Sequence, residues 1–403
     1  MIKPAIVAVG FNRAESMRRL LKSICEADYP FGDITLIISI DECSKSDEVD
    51  AVAREAVWKN GEKIIRRFPT RQGLKAHVLQ CGDLSQKYKA VIILEDDLIV
   101  SPSFYHFVYL ALNYYSGYQK LAGIALYSHA WNGYANISFS PEKNEYDTYL
   151  GQYSITWGQC WTKERWADFR EWYKIHDGRL PKRNEMMPES ISYWSEHSWG
   201  KYYISYMIEK ELYYVIPYNS MSTNFSEIGQ HVSTRSNAHQ VPLMMGVKRI
   251  FDFPDPEKAV KYDIFFERVF DKMLVSGIQG EEICVNLNCT KKNSLGHKYM
   301  LTPMRLKDKI IASYGMKMKP IDSNVTNGIV GNEIFLYEKS ERNCQYRIGF
   351  QPDSRIEYEM AGYSWRATLR SGIKGFADSF VARTKNVRTR FIKKRLFSPH
   401  KLE

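Results

Sequence analysis

Short apolar runs alternate with amphipathic stretches through the first hundred residues, and several acidic residues stand where those runs end. This pattern predicts an α/β fold with a mostly parallel central sheet flanked by helices, its ligand at the carboxyl ends of the strands. After about residue 255 the pattern loosens, and the chain closes on a segment that reads as a basic amphipathic helix. With 403 residues, 44% hydrophobic and 25% charged, the chain is long enough for more than one domain and has a globular composition. The expected division is a domain over 1–255, an accessory region over 256–362 and a helical tail over 363–403.

Each element has its own signal. Ala5 to Val9 is a buried-type strand, and Glu15 to Glu26 carries Met17, Leu20, Leu21 and Ile24 at helical spacing. Ile34 to Ile40 is β-branched and reads as a strand, Asp47 to Trp58 as a helix, Lys63 to Arg67 as a short strand, and part of Leu74 to Lys87 as a helix. Ala90 to Leu94 is another buried strand, followed by a helix over Ser103 to Tyr115 and a strand over Leu121 to Tyr127. Asn132 to Leu150, rich in Gly, Asn, Pro and Tyr, reads as loop or hairpin. Thr162 caps a helix running to Trp172, Asp177 to Ser190 is a loop, and Trp199 to Lys210 is a helix before a strand that Pro217 stops. Asp263 to Val275 has a helical pattern, while Ile310 to Ile321 and Ile334 to Tyr337 are short elements of either type.

The net charge of +10 is concentrated in the tail. From Tyr363 onward eleven basic residues face only Asp378 and Glu403, so the rest of the chain is close to neutral. A neutral body without a helix-turn-helix or RRM-type signature argues against nucleic-acid binding. In the tail, Trp365, Leu369, Ile373, Phe376, Phe380, Val387 and Phe391 fall on one helical face beside Arg366, Arg370 and Lys374. Such a face suits an anionic membrane surface, or docking on the body with a solvated basic rim. No apolar run reaches the roughly 18 residues of a membrane span. The opening Met1-Ile2-Lys3-Pro4 lacks the pattern of a signal peptide. The seven cysteines are scattered without a CxxC, which predicts free thiols in a reducing compartment.

No GxGxxG, GxxxxGK[ST] or GxSxG occurs, which argues against dinucleotide, P-loop and nucleophile-elbow chemistry. The strand ends are acidic instead. One closes in Ser39-Ile40-Asp41-Glu42 and another in Leu94-Glu95-Asp96-Asp97-Leu98. Three adjacent carboxylates after a buried strand repel one another, and a hard cation such as Mg²⁺ or Mn²⁺ carrying a diphosphate would relieve them.

On these residues the sequence resembles GT-A glycosyltransferases, in particular bacterial enzymes related to the N-acetylglucosaminyltransferase I type. The resemblance covers about residues 4–235. It rests on Gly10-Phe11-Asn12-Arg13 after the first strand, Ile37 to Asp41, VIILEDDLIVSPS over Val91 to Ser103, and SHAWN at 128–132 with Tyr153 to Trp166. It implies a nucleotide-sugar half over about 1–130 and an acceptor half over about 131–255. Asn12 and Arg13 would then lie near the nucleotide, although Arg13 also suits a surface helix start. Asp41 would accept a hydrogen bond from the base, or cap the following helix. Asp97 would bind the metal, with Glu95 and Asp96 contacting ribose, sugar or metal-bound water. Trp157 and Gly158 would close over the donor sugar, or Trp157 would be core. His231, in NFSEIGQH, would be a second metal ligand or an exposed loop residue. The pattern fails at the general base, because no acid stands within Trp199-Gly200-Lys201. Glu196 is the nearest candidate, with Asp177, Glu185 and Glu189 as rivals.

The resemblance therefore implies a metal-dependent inverting transferase. It would move a sugar from a nucleotide-diphosphate donor, by family habit a UDP-sugar, to a glycan or lipid-linked glycan acceptor in surface polysaccharide synthesis. The expected place is the cytoplasm, peripheral at the inner membrane face. The alternative, motivated by the missing base, is an inactive nucleotide-sugar or glycan-binding scaffold.

Overall fold

The computed structural model describes residues 1–153, 155–176, 185–225, 227, 237, 239–340, 352–362, 364, 366, 369–370 and 372–373. Residues Met1–Pro352 form one compact unit and Asp353–Glu403 a second. The first opens with β1 (Ala5–Gly10), α1 (Ala14–Cys25), β2 (Leu36–Ile40), α2 (Ser46–Glu55), β3 (Lys63–Arg67), α3 (Leu74–Asp83) and β4 (Ala90–Glu95). These strands pair in parallel in the order β3-β2-β1-β4. The chain winds outward from β1 through β2 to β3, then crosses back to β4. The strand order thus reverses beside β1, the place where open α/β sheets form a crevice.

The sheet continues beyond β4 with Gln159–Thr162, Leu121–Ala125, Tyr213–Pro217, Thr148–Gly151 and Lys261–Tyr262. Gln159–Thr162 is antiparallel to both β4 and Leu121–Ala125. Thr148–Gly151 is antiparallel to Tyr213–Pro217. Six of the nine strands still share one direction, so the sheet is mostly parallel. Three of these strands were missed in the sequence, Lys261–Tyr262 and two longer ones of four residues each, TYLG and QCWT. None is long enough to show a period.

Side chains alternate across the sheet. Ile6 and Ala8 face a core with Met17, Leu20 and Leu21 of α1, Val49 and Val52 of α2, and Phe104 and Phe107 of the helix Phe104–Tyr114. Val7 and Val9 face the opposite core, which is aromatic: Trp161, Trp166, Phe169, Tyr203 and Tyr206. There the helices Lys163–Ile175 and Trp199–Glu209 pack with α3. Trp161 stacks on Trp166 with ring centroids 4.4 Å apart and donates its indole N–H to the Tyr214 hydroxyl at 2.8 Å. Thr162 caps its helix as expected, accepting the Arg165 N–H at 3.2 Å.

The helix expected over Asp263 to Val275 does not form. Phe266 and Lys272 have positive φ, and the Asp263 carboxylate accepts the N–H groups of Phe265 and Glu267 in a turn. Buried Glu267 accepts the N–H groups of Leu287 and Asn288, while Lys291 pairs with Asp263 at 2.6 Å. The apolar spacing therefore serves a polar-stapled loop. A four-stranded sheet follows, ordered Ile283–Val285, Tyr299–Thr302, Ile334–Glu338 and Lys309–Tyr314.

In the second unit Asp353–Met360 is helical, and Leu369 and Ile373 are helical and exposed. The other apolar positions of the expected tail face lie outside the described residues. Among the described residues no helix is long and apolar enough to cross a membrane. Cys81, Cys160 and Cys284 are free and buried, Cys289 is buried, and Cys25 and Cys43 are free and half-buried.

Because Trp161 is fully buried at the centre of the aromatic face, Trp161→Ala is expected to cost about 3–5 kcal/mol. A lowered urea midpoint at unchanged m-value is the measurement that checks it.

Candidate functional site

A cavity of about 240 Å³ opens where the strand order reverses. β1 contributes Val9 and Gly10 and its following turn Phe11, Asn12 and Arg13, β2 delivers Asp41, and β4 delivers Glu95, Asp96 and Asp97. Arg71, Gly73, Leu74 and His77 line it from the start of α3, and Glu227 closes it. Asn12, Arg13, Asp41 and the acidic triplet, read separately along the sequence, are thus brought to one cavity.

The charges are unbalanced. Five carboxylates line the cavity against the guanidinium groups of Arg13 and Arg71. Arg13 pairs with Asp96 and lies 3.5 Å from Asp97. Burial pushes the Glu95 carboxyl up to about 8, aided by the neighbouring charges of Asp97 and Asp96. Burial also raises Asp96 to about 6 against the pull of Arg13, and Asp97 shifts upward for the same reason. Arg13 offsets only part of this crowding of carboxylates, and their all-oxygen donor set suits a hard divalent cation. Among the described residues no group of three or more His, Cys, Asp or Glu side chains is arranged to hold an ion.

Asp41 is held by backbone amides at the cavity wall. Its carboxylate accepts the N–H groups of Glu42 at 2.8 Å, Gln72 at 2.7 Å and Gly73 at 2.9 Å. It caps no helix: α2 has no side-chain cap. Asp41 instead clamps the turn before α3, where Gly73 adopts φ +78. The clamp fixes Arg71, whose guanidinium lies over the Phe11 ring at 4.9 Å.

Glu227 was not singled out by sequence. The strand Ser222–Asn224 pairs with Leu98–Val100, and the Phe225 N–H bonds the Asp97 carbonyl at 3.0 Å, so the chain re-enters beside the acidic triplet. Glu227 accepts from Arg19 at 2.9 Å and from Ser16. Its signal was its place in NFSEIGQH, the segment chosen for His231; His231 itself and Asp177 lie outside the described residues.

Trp157 and Gly158 do not line this cavity. They precede Gln159, which pairs antiparallel with Ile93, so on that register they come level with Leu94 and Glu95, the last residues of β4. Gly158 has φ +98, and a Cβ there would stand 3.1 Å from both Leu126 and the Ser222 hydroxyl. The half-buried Trp157 ring packs on Tyr127 and His239 at 4.7 and 4.9 Å. Glu196 also stands outside the cavity lining. It is 75% exposed and bound to buried Lys201 at 2.8 Å and the Tyr202 hydroxyl at 3.0 Å. Those two partners hold its carboxyl below the ordinary range. Glu185 bonds Asn293, and Glu189 pairs with Lys292.

No protein-family model and no curated protein matches the chain. Among solved structures, S. aureus TarS 1-349 in complex with UDP-GlcNAc is 13% identical over 57% of this chain and 61% of that one, with a TM-score of 0.35. GalNAc-T7 with UDP, GalNAc and Mn²⁺ is 13% identical over 54% and 43% of the two chains, with a TM-score of 0.37. The mannosyltransferase PcManGT from Pyrobaculum calidifontis, in complex with GDP-Man and Mn²⁺, is 13% identical over 41% and 46%, with a TM-score of 0.28. The chain spans about three fifths of the length of the TarS 1-349 structures it matches and 35% of the longer TarS structure.

In the cavity wall, His77 Nε2 lies 2.7 Å from Ser39 Oγ, which also accepts from Arg66 at 2.8 Å. Burial pushes the imidazole down to about 4 against the opposing charge of Asp41. The unfolded chain, with an ordinary histidine, takes up this proton first. The stability present above about pH 6.5 is therefore lost as pH falls toward 4, by about 3 kcal/mol in all. His77→Gln should flatten the slope of stability against pH in that window relative to the unaltered chain, measured by urea midpoints across a pH series.

Proposed function

We propose that the chain is a metal-dependent glycosyltransferase that takes its sugar from a nucleotide-diphosphate donor. The observation that carries this reading is the cavity at the strand-order reversal, where Arg13 and Arg71 stand among the carboxylates of Asp41, Glu95, Asp96, Asp97 and Glu227. A cavity with that excess of negative charge repels a bare diphosphate and accepts one that arrives with a divalent cation. Asp97 would hold the cation, which supplies charge neutralisation for the departing nucleotide diphosphate. The residues of the chain do the rest. The Asp41 clamp fixes the turn carrying Arg71 over Phe11, a platform for the base. Arg13 meets phosphate oxygens, and Glu227 holds the approach between α1 and the re-entering strand.

The donor is read as a UDP-sugar. Transfer with inversion would place the acceptor beyond Trp157 and Gly158, with Glu196 as the base that receives the acceptor hydroxyl proton. The catalytic work is assigned to residues 1–255. The basic tail supports a lipid-linked glycan acceptor at an anionic membrane surface, on the cytoplasmic side, in polysaccharide assembly.

A second reading is supported by the setting of Glu196, exposed and held ionised by Lys201 and Tyr202. A carboxylate stabilised in its charged form is a weak base, which favours a chain that binds nucleotide-sugar without turning it over.

Calorimetry with Mn²⁺ and UDP, GDP and dTDP, followed by release of nucleotide from the matching sugars, separates the readings. Asp97→Ala is expected to weaken Mn²⁺-dependent nucleotide affinity by at least about 100-fold, beyond the loss an outer partner brings. Binding with turnover supports the transferase, and binding without turnover supports the scaffold. Absence of metal-dependent binding to every nucleotide overturns both.

A further inference from the structure

The carboxylates of the cavity are neutralised by different means. Asp41 is met by three backbone amides, and Glu227 by Arg19 and Ser16. Asp96 and Asp97 are met by Arg13, at a site where the guanidinium is 24% exposed and the Asp96 side chain 6%. Asp97 is also the residue to which the proposed function gives the cation.

We propose that Arg13 is an internal counter-cation, a positioning residue that keeps the divalent ion out of the acidic triplet until a diphosphate draws the guanidinium away. The inference rests on the nucleotide-sugar reading and deepens it. Its logic is electrostatic. A guanidinium does not deprotonate in proteins, so Arg13 cannot yield its place by losing charge; it yields only by exchanging one anion for another. Its planar fork suits phosphate oxygens as well as it suits carboxylates. An ion arriving alone must part Arg13 from a nearly buried aspartate and leave the guanidinium without a partner. An ion arriving with a diphosphate brings the replacement anion along. The two ligands then bind as a pair, and the coupling is the same whichever is varied.

The test measures Mn²⁺ alone, by the electron paramagnetic resonance of the free ion in the presence of the full chain. Arg13→Gln is expected to tighten Mn²⁺ binding without nucleotide by about tenfold or more, since the ion no longer competes with a contact charge. Arg71→Gln is the control. It removes the same charge from the same cavity, at a side chain whose guanidinium lies over Phe11, and should change Mn²⁺ affinity by less than about threefold. Arg13→Lys answers for a glutamine variant that fails to fold. A compact ammonium makes fewer simultaneous contacts, and Mn²⁺ alone should tighten by about threefold. Unchanged or weakened Mn²⁺ affinity in both Arg13 variants overturns the proposal. So does an equal gain in Arg71→Gln, which would reduce the effect to net charge. With saturating Mn²⁺, UDP should bind Arg13→Gln more weakly than the unaltered chain. If the unaltered chain binds no UDP with Mn²⁺, the nucleotide-sugar reading fails by itself, while the contest between Arg13 and the ion is still read with Mn²⁺ alone.

Discussion

Everything around the cavity answers to one constraint: several carboxylates at the ends of buried parallel strands cannot share a small space uncompensated. The fold meets that constraint in three ways. Backbone amides saturate Asp41, a helix-borne pair of Arg19 and Ser16 holds Glu227, and Arg13 spans Asp96 and Asp97. Glu95 receives the least help and shifts furthest toward its neutral form. The position of α1 follows from the same demand. Its first turns carry Ser16 and Arg19 toward Glu227 while Met17, Leu20 and Leu21 hold it against the sheet. Packing and electrostatics thus specify the same placement.

The donor side of the molecule was legible because its signals are local. A parallel strand buried on both faces writes an unbroken apolar run, and the residue that follows it is at the ligand end of the sheet. Asp41 and the triplet at 95–97 could therefore be located before their partners were known. The partners of Asp41 could not, because its three hydrogen bonds come from backbone groups at 42, 72 and 73, and backbone donors leave no trace in side-chain identity. Glu227 was hidden for a related reason. Its approach to Asp97 depends on a three-residue strand, Ser222–Asn224, too short to announce a register.

The other half was harder to read. Asp263 to Val275 has helical apolar spacing, yet Phe265, Phe266 and Phe270 bury their rings from an irregular loop stapled by Glu267, Asn288 and Lys291. Burial demands an apolar side chain but not a regular backbone. Glu196 shows the converse limit. Its carboxylate is visible in sequence, but the fully buried Lys201 that holds it lies in the first turn of the next helix.

The strand Gln159–Thr162 runs against its neighbours and bonds both β4 and Leu121–Ala125. It closes what would otherwise be a seam between two parallel blocks. Mechanically, the sheet becomes one continuous plate across the two halves. Any adjustment to a bound ligand must be taken up by the segments that leave the plate at its rim. Gly158, where the chain steps onto that strand with positive φ and little room for a Cβ, is a natural fulcrum for such an adjustment.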